Sequence, residues 1–98
     1  IGRIRTVILV DECRWPHRDL LWCHMISDVS LDELHAFAEL LDVPRRGFQG
    51  DHYDLPAHVR DRAVLHGALE VPSREIVARL NLSGLRLAPR QRRVSEGR

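Results

Sequence analysis

Lysine is missing from this chain: all fifteen basic residues are arginine. A GC-rich genome produces such usage, and a net charge of +1 excludes a protein that is basic overall. Cysteine is scarce. Cys13 and Cys23 do not make a disulfide framework, and no signal segment is visible, so a reducing cytoplasm is the expected compartment. Long apolar runs are absent too. The longest, from Thr6 to Val10, is far too short to cross a bilayer, so no membrane partner is expected. No glycine-rich phosphate loop follows that run: Cys13-Arg14-Trp15-Pro16 comes instead, which argues against a P-loop or dinucleotide fingerprint. No serine lies in a G-x-S-x-G elbow, so a serine-hydrolase reading has no support.

What is present is ordinary for a globular chain. Of the 98 residues, 44% are apolar and 30% charged, enough for a modest core in one domain. The expected organisation is a single α/β domain over residues 1–88 and a flexible, arginine-rich tail over 89–98. Arg86, Arg90, Arg92, Arg93 and Arg98 gather at that end with only Glu96 to offset them, a composition suited to phosphates or an acidic partner.

Thr6 to Val10 is a continuous β-branched and aliphatic run, as a strand buried on both faces requires, and Asp11 stands at its carboxyl end. Leu20 to Ile26 reads as a second strand, with His24 on the same face as Trp22 and Ile26. Ser30-Leu31-Asp32-Glu33 fits a capping box, and Leu31, Leu34, Ala38 and Leu41 follow at helical spacing through about Asp42. A short strand is expected around Gly47 to Gln49, then a helix from about Leu55 to His66 with Pro56 in its first turn and Gly67 as its stop. Ala68 to Val71 reads as a brief strand, and Ser73 as the cap of a third helix ending near Ser83-Gly84. This alternation predicts a small two- or three-layer α/β domain: a short, mostly parallel sheet of about three to four strands, with three helices.

The segment between Trp22 and Asp54 concentrates histidines and carboxylates. His52, in a loop framed by Gly47, Gly50 and Pro56, is the first choice for acid–base chemistry. Asp54 would orient it, or cap the next helix. His35 borders the apolar stripe of its helix, where it serves equally as a catalytic group or ligand, or as a packed structural histidine. Tyr53, Arg46 and Asp11 are the candidate substrate contacts, with Arg45-Arg46 able to clamp a phosphate. His24, His35 and His52 could supply three nitrogens to a divalent metal (zinc, manganese or magnesium), with Asp28 or Asp54 behind them. A rival set joins Cys13 and His17 with Cys23-His24 but lacks a C-x-x-C pair. Asp11-Glu12 at a strand end is also compatible with magnesium.

The motifs VILVDE, the Trp-Pro pair, WCHMISD, SLDELHAFAELL, VPRRGF, DHYD and HGALEVPSRE together resemble a small bacterial and phage family, domain of unknown function 4031, from about Thr6 to Leu80. The resemblance puts His24, Asp28, His35, His52, Tyr53 and Asp54 on the family's recurrent polar positions and leaves both cysteines outside its pattern. It implies no activity. Three functions stay open: a metal-assisted hydrolase or phosphodiesterase-like enzyme acting on a small phosphorylated ligand or nucleic acid; a non-catalytic ligand-, nucleic-acid- or protein-binding module; and a structural accessory domain.

Overall fold

Residues 7–85 are described by the computed structural model; Thr6 and the arginine-rich end from Arg86 onward lie outside the described residues. The strands are β1 (Ile8–Val10), β2 (Trp15–His17), β3 (Leu20–Ser27), β4 (Tyr53–Pro56) and β5 (Leu69–Glu70); the helices are α1 (Leu31–Leu40), α2 (Ala57–Leu65) and α3 (Ser73–Ser83).

The sheet is mixed and has five strands, which corrects the expected short, mostly parallel one. Only β1 and β5 run parallel; β1, β2 and β4 are all antiparallel to β3. A tight turn explains the difference. Arg18 and Asp19 both adopt positive φ, 52° and 65°, and fold β2 back on β3. Two positive φ values in a two-residue loop match the twist of antiparallel strands, but glycine or asparagine usually supplies them. Arginine and aspartate there give no turn signal. Replacing the pair by Asn-Gly is expected to raise stability by about 1 kcal/mol, since an L side chain at Asp19 strains that backbone. Urea denaturation checks this, and an unchanged midpoint would contradict it.

Trp22 pairs with both β2 and β4, and Met25 with both β1 and β4, so β1 and β2 lie along the same side of β3. Val10 faces Met25 and Trp15 faces Trp22, so residues 11–14 oppose only residues 23–24. This local excess is a bulge. It leaves the alternation of faces intact.

That alternation makes three layers. On one face Ile8, Val10, Cys23, Met25, Tyr53 and Leu55 pack beneath Leu34, Phe37, Ala38 and Leu41 from α1 and its end, and Ala63 of α2. On the other, Leu9 and Ile26 meet Ile76 and Leu80 of α3.

Helix boundaries follow local chemistry. Ser30 Oγ accepts the Glu33 amide at 3.1 Å, as a capping box requires, but the Glu33 carboxylate takes the Ser27 hydroxyl at 2.7 Å instead of reaching back. α1 stops at Leu40, and Asp42 takes a left-handed φ of 61°. Arg45–Gly47 forms a 3-10 turn where a strand was expected nearby, and the strand begins later, at Tyr53. Asp54 therefore lies in β4 and caps nothing; Pro56 precedes α2 without a side-chain cap. Ser73 is the first residue of α3, not its cap, and its hydroxyl is used elsewhere. Among the described residues no helix is long and apolar enough to cross a membrane.

Candidate functional site

The face of the sheet that carries Leu9 and Ile26 turns polar one pleat further along each strand. Two residues after Leu9 comes Asp11; two before Ile26 comes His24; and His24 pairs directly with Asp54 of β4. His52, two residues before Asp54, points the same way. Asp11, just beyond β1, His24 of β3, His52, just before β4, and Asp54 of β4 therefore fall on one face of the sheet.

Each histidine is held by a carboxylate. Asp11 is 1% exposed. Its Oδ1 accepts the His24 amide at 2.6 Å, and its Oδ2 lies 2.8 Å from His24 Nδ1 and 2.9 Å from the Ser73 hydroxyl, which donates to it. Burial would raise the Asp11 pKa, but the hydrogen bonds from His24 and Ser73 outweigh it and hold the carboxyl below its ordinary value. Arg60 Nε donates to the Asp11 carbonyl at 2.6 Å and fixes the backbone as well. Asp51, also buried, stands 2.7 Å from His52 Nδ1. Burial would lower the His52 pKa; Asp54 and Asp51 overcome that and keep it above the ordinary imidazole value.

With both Nδ1 atoms engaged, the Nε2 side of each imidazole is the one left for further partners, and that of His52 faces Asp54. The two rings meet edge to face, with centroids 5.2 Å apart. His52 Nε2 lies 3.2 Å from Asp54 Oδ1 but is poorly aligned, so this buried oxygen accepts no hydrogen bond. His24, His52 and Asp54 each offer one ligand atom, and these lie within 4.8 Å of one another. Imidazole nitrogen and carboxylate oxygen are donor types that zinc accepts.

Clefts open on both sides. Asp11, His24, Asp51, His52 and Ser73 line one of about 340 Å³, closed by Ile76, Val77 and Leu80 of α3. Asp54 lines a second, of about 330 Å³, together with Trp15 and Trp22.

The structure separates the remaining candidates from this cluster. His35 and Tyr53 face the opposite layer: His35 Nδ1 is 2.7 Å from the Tyr53 hydroxyl, and both rings pack on Phe48. Burial and then Arg45 push the His35 pKa down, and burial pushes Tyr53 up, so the pair is uncharged at neutral pH. His35 therefore does not join His24 and His52, and the group that stands with them is Asp54. Asp28 pairs with Arg79 at 2.8 Å and stands behind no histidine. Asp11 has both oxygens occupied and orients His24. Arg46 lines a broader cleft beyond Asp54. Of the rival cysteine set, Cys23 points into the α1–α2 core, where burial and then Cys13 push its thiol up. Sequence reasoning missed Asp51 and Ser73. Asp51 stands directly before His52 and could have been suspected; Ser73 becomes a partner only once α3 is placed.

The profile of a family described as "Protein of unknown function (DUF4031)" matches residues 8–83. No curated protein and no solved structure matches the chain.

Proposed function

Starting from the premise that the chain belongs to this family of unknown function, we propose that His24, His52 and Asp54 hold a divalent transition metal, and that the domain is a metal-assisted hydrolase of phosphate esters. One observation carries the reading: two imidazoles and a carboxylate converge within 4.8 Å, and each imidazole has a buried aspartate at its Nδ1. Metal-binding histidines are oriented in this way, because an aspartate on Nδ1 fixes the tautomer and leaves the Nε2 lone pair for the ion. The buried Asp54 Oδ1, whose contact with His52 Nε2 at 3.2 Å is poorly aligned, would gain a stronger partner in a metal ion.

Two nitrogens and one carboxylate suit zinc or manganese better than magnesium, which prefers oxygen donors and keeps its waters. A divalent metal held by His24, His52 and Asp54 would supply Lewis-acid activation of water and of the phosphoryl group. The hydrolysis itself would break the P–O ester bond, with hydroxyl going to phosphorus and a proton to the departing alcohol. Asp11 and Asp51 keep both imidazoles in register, and Ile76, Val77 and Leu80 narrow the water-accessible side.

Thermal unfolding of the metal-stripped chain tests the site. At a hundredfold excess over the dissociation constant, zinc or manganese should add about 2.7 kcal/mol, which raises Tm by roughly 10 °C or more in a domain of this size. His52→Ala and Asp54→Ala should abolish the shift, whereas His35→Ala should leave it intact. No shift with any divalent ion removes the metal. A shift without metal-dependent hydrolysis of bis(p-nitrophenyl) phosphate leaves a metal-binding domain with no hydrolase.

A further inference from the structure

The face that bears the metal ligands continues past them. Trp22 is two residues before His24 on β3, and Trp15 pairs directly with Trp22 across β2. The indoles stack at 5.9 Å with an interplanar angle of 18°, and Trp15 also lies 6.0 Å from the His24 ring. Trp22 is locked in place, since its Nε1–H donates to the His17 carbonyl at 2.9 Å. Both indoles are only half-buried. Together they form a rigid aromatic wall that starts at the candidate metal site and that α3 leaves uncovered.

The surroundings of the wall are chemically specific. It lines the cleft of about 330 Å³ with Asp54 and Gln49, a volume at the small end of ligand pockets. A broader cleft of about 660 Å³ shares Trp22, Gln49 and Asp54 and is also lined by Arg18 and Arg46, whereas Arg62, lining it too, donates to the Leu41 carbonyl. Arg18 is held at a φ of 52°, a strained conformation for arginine. Among the described side chains, the buried polar atoms without a hydrogen bond are Trp15 Nε1 and Asp54 Oδ1, and both belong to residues lining this one cleft.

We infer that the wall seats the planar base of a mononucleotide, whose phosphate reaches the His24–His52–Asp54 centre while arginines at the rim balance its charge. The assignment rests on the metal reading above and names its substrate class. Every base offers a π-face to an indole, and stacking tolerates base identity. Gln49 supplies an amide suited to a base edge. Guanidinium groups match phosphate geometry better than any other cation. A sugar phosphate would use the arginines and leave the wall idle; an apolar ligand would use the wall and leave the arginines unpaired. A mononucleotide uses both, and its size suits a short cleft.

Fluorescence titration of the full chain distinguishes these ligands. The probes are adenosine 5′-monophosphate, ribose 5-phosphate and a ten-nucleotide single strand, each with manganese and with a chelator. The nucleotide should bind about tenfold or more tightly than ribose 5-phosphate, and Trp22→Leu should erase that difference while leaving ribose 5-phosphate binding unchanged. Equal affinities for the two phosphates overturn the wall assignment, as does a Trp22→Leu variant that keeps the preference. A single strand bound a hundredfold more tightly than the mononucleotide overturns the choice of occupant. The cross-strand indole pair also supports the hairpin, so Trp22→Leu has to be shown folded by circular dichroism. Magnetisation transfer between adenine and indole protons in the unaltered protein gives a second reading, and its absence likewise overturns the proposal. A base preference that survives chelation, in a chain that binds no metal, supports the wall and removes the metal. Metal binding without base preference does the reverse.

Discussion

Asp11→Ala is expected to destabilise the domain by about 3–5 kcal/mol, because three donors lose their shared acceptor at about 1–3 kcal/mol each. That is a large share of the total for a domain this size. Asp11 joins three elements: it receives the His24 amide and ring on β3 and the Ser73 hydroxyl at the start of α3, from its own place after β1. Truncation leaves all three donors in a buried place with no acceptor. Asp11→Asn, which keeps the shape and one acceptor, should cost less, about 1–3 kcal/mol, yet still weaken metal binding by about 10- to 100-fold, because the fixed His24 tautomer is lost. Urea denaturation and metal titration measure the two effects separately. An Asp11→Ala variant within 1 kcal/mol of the parent would show that this network does not hold the site. The same group sets the acid limit. Its folded pKa lies below the unfolded value near 3.8. The stability it contributes is therefore fully present above that value and disappears as pH falls through the lower, folded one.

Tyr53→Ala is expected to cost about 3–5 kcal/mol, for a different reason. The ring is 1% exposed and fills the layer between β4 and α1 against Phe48 and His35. Deleting it opens a cavity that rigid strands cannot close. Tyr53→Phe keeps the packing and loses only the hydrogen bond to His35, worth about 1 kcal/mol. Neither change touches the opposite face, so metal affinity, measured on Tyr53→Phe, should be unaltered. A Tyr53→Phe variant that no longer binds metal would mean that the two faces communicate, against the geometry.

Much of the fold was legible because strong local signals coincide with the final structure. Ser30 caps α1 as its sequence implies, Ile8–Val10 is a buried strand, and Gly67 takes a positive φ of 107° just after α2. Sheet direction was not legible. It depends on the Arg18-Asp19 turn, whose side chains are poor markers of the conformation they adopt. The histidine cluster was half legible. His24 and His52 were both singled out, but the sequence points to His35 as their third member with Asp28 or Asp54 behind them, whereas Asp54 is the one that joins them. That choice needs residues 53–56 to be a strand, and their Asp-Leu-Pro sequence reads as a helix start. Once the strand is known, alternation assigns Tyr53 to one face and Asp54 to the other. The paired indoles could not be found without the register of β2 on β3.

β3 is paired along both edges: residues 22–25 meet β4 on one side, and β1 and β2 divide the other. A strand flanked in this way cannot fray alone, so the His24 amide, bonded to Asp11, belongs to the part of the chain whose protons exchange with solvent only when the whole domain opens. The His24 side of the centre is thereby tied to the cooperative unit. The clefts open at its rim, while the geometry around His24 persists for as long as the protein stays folded.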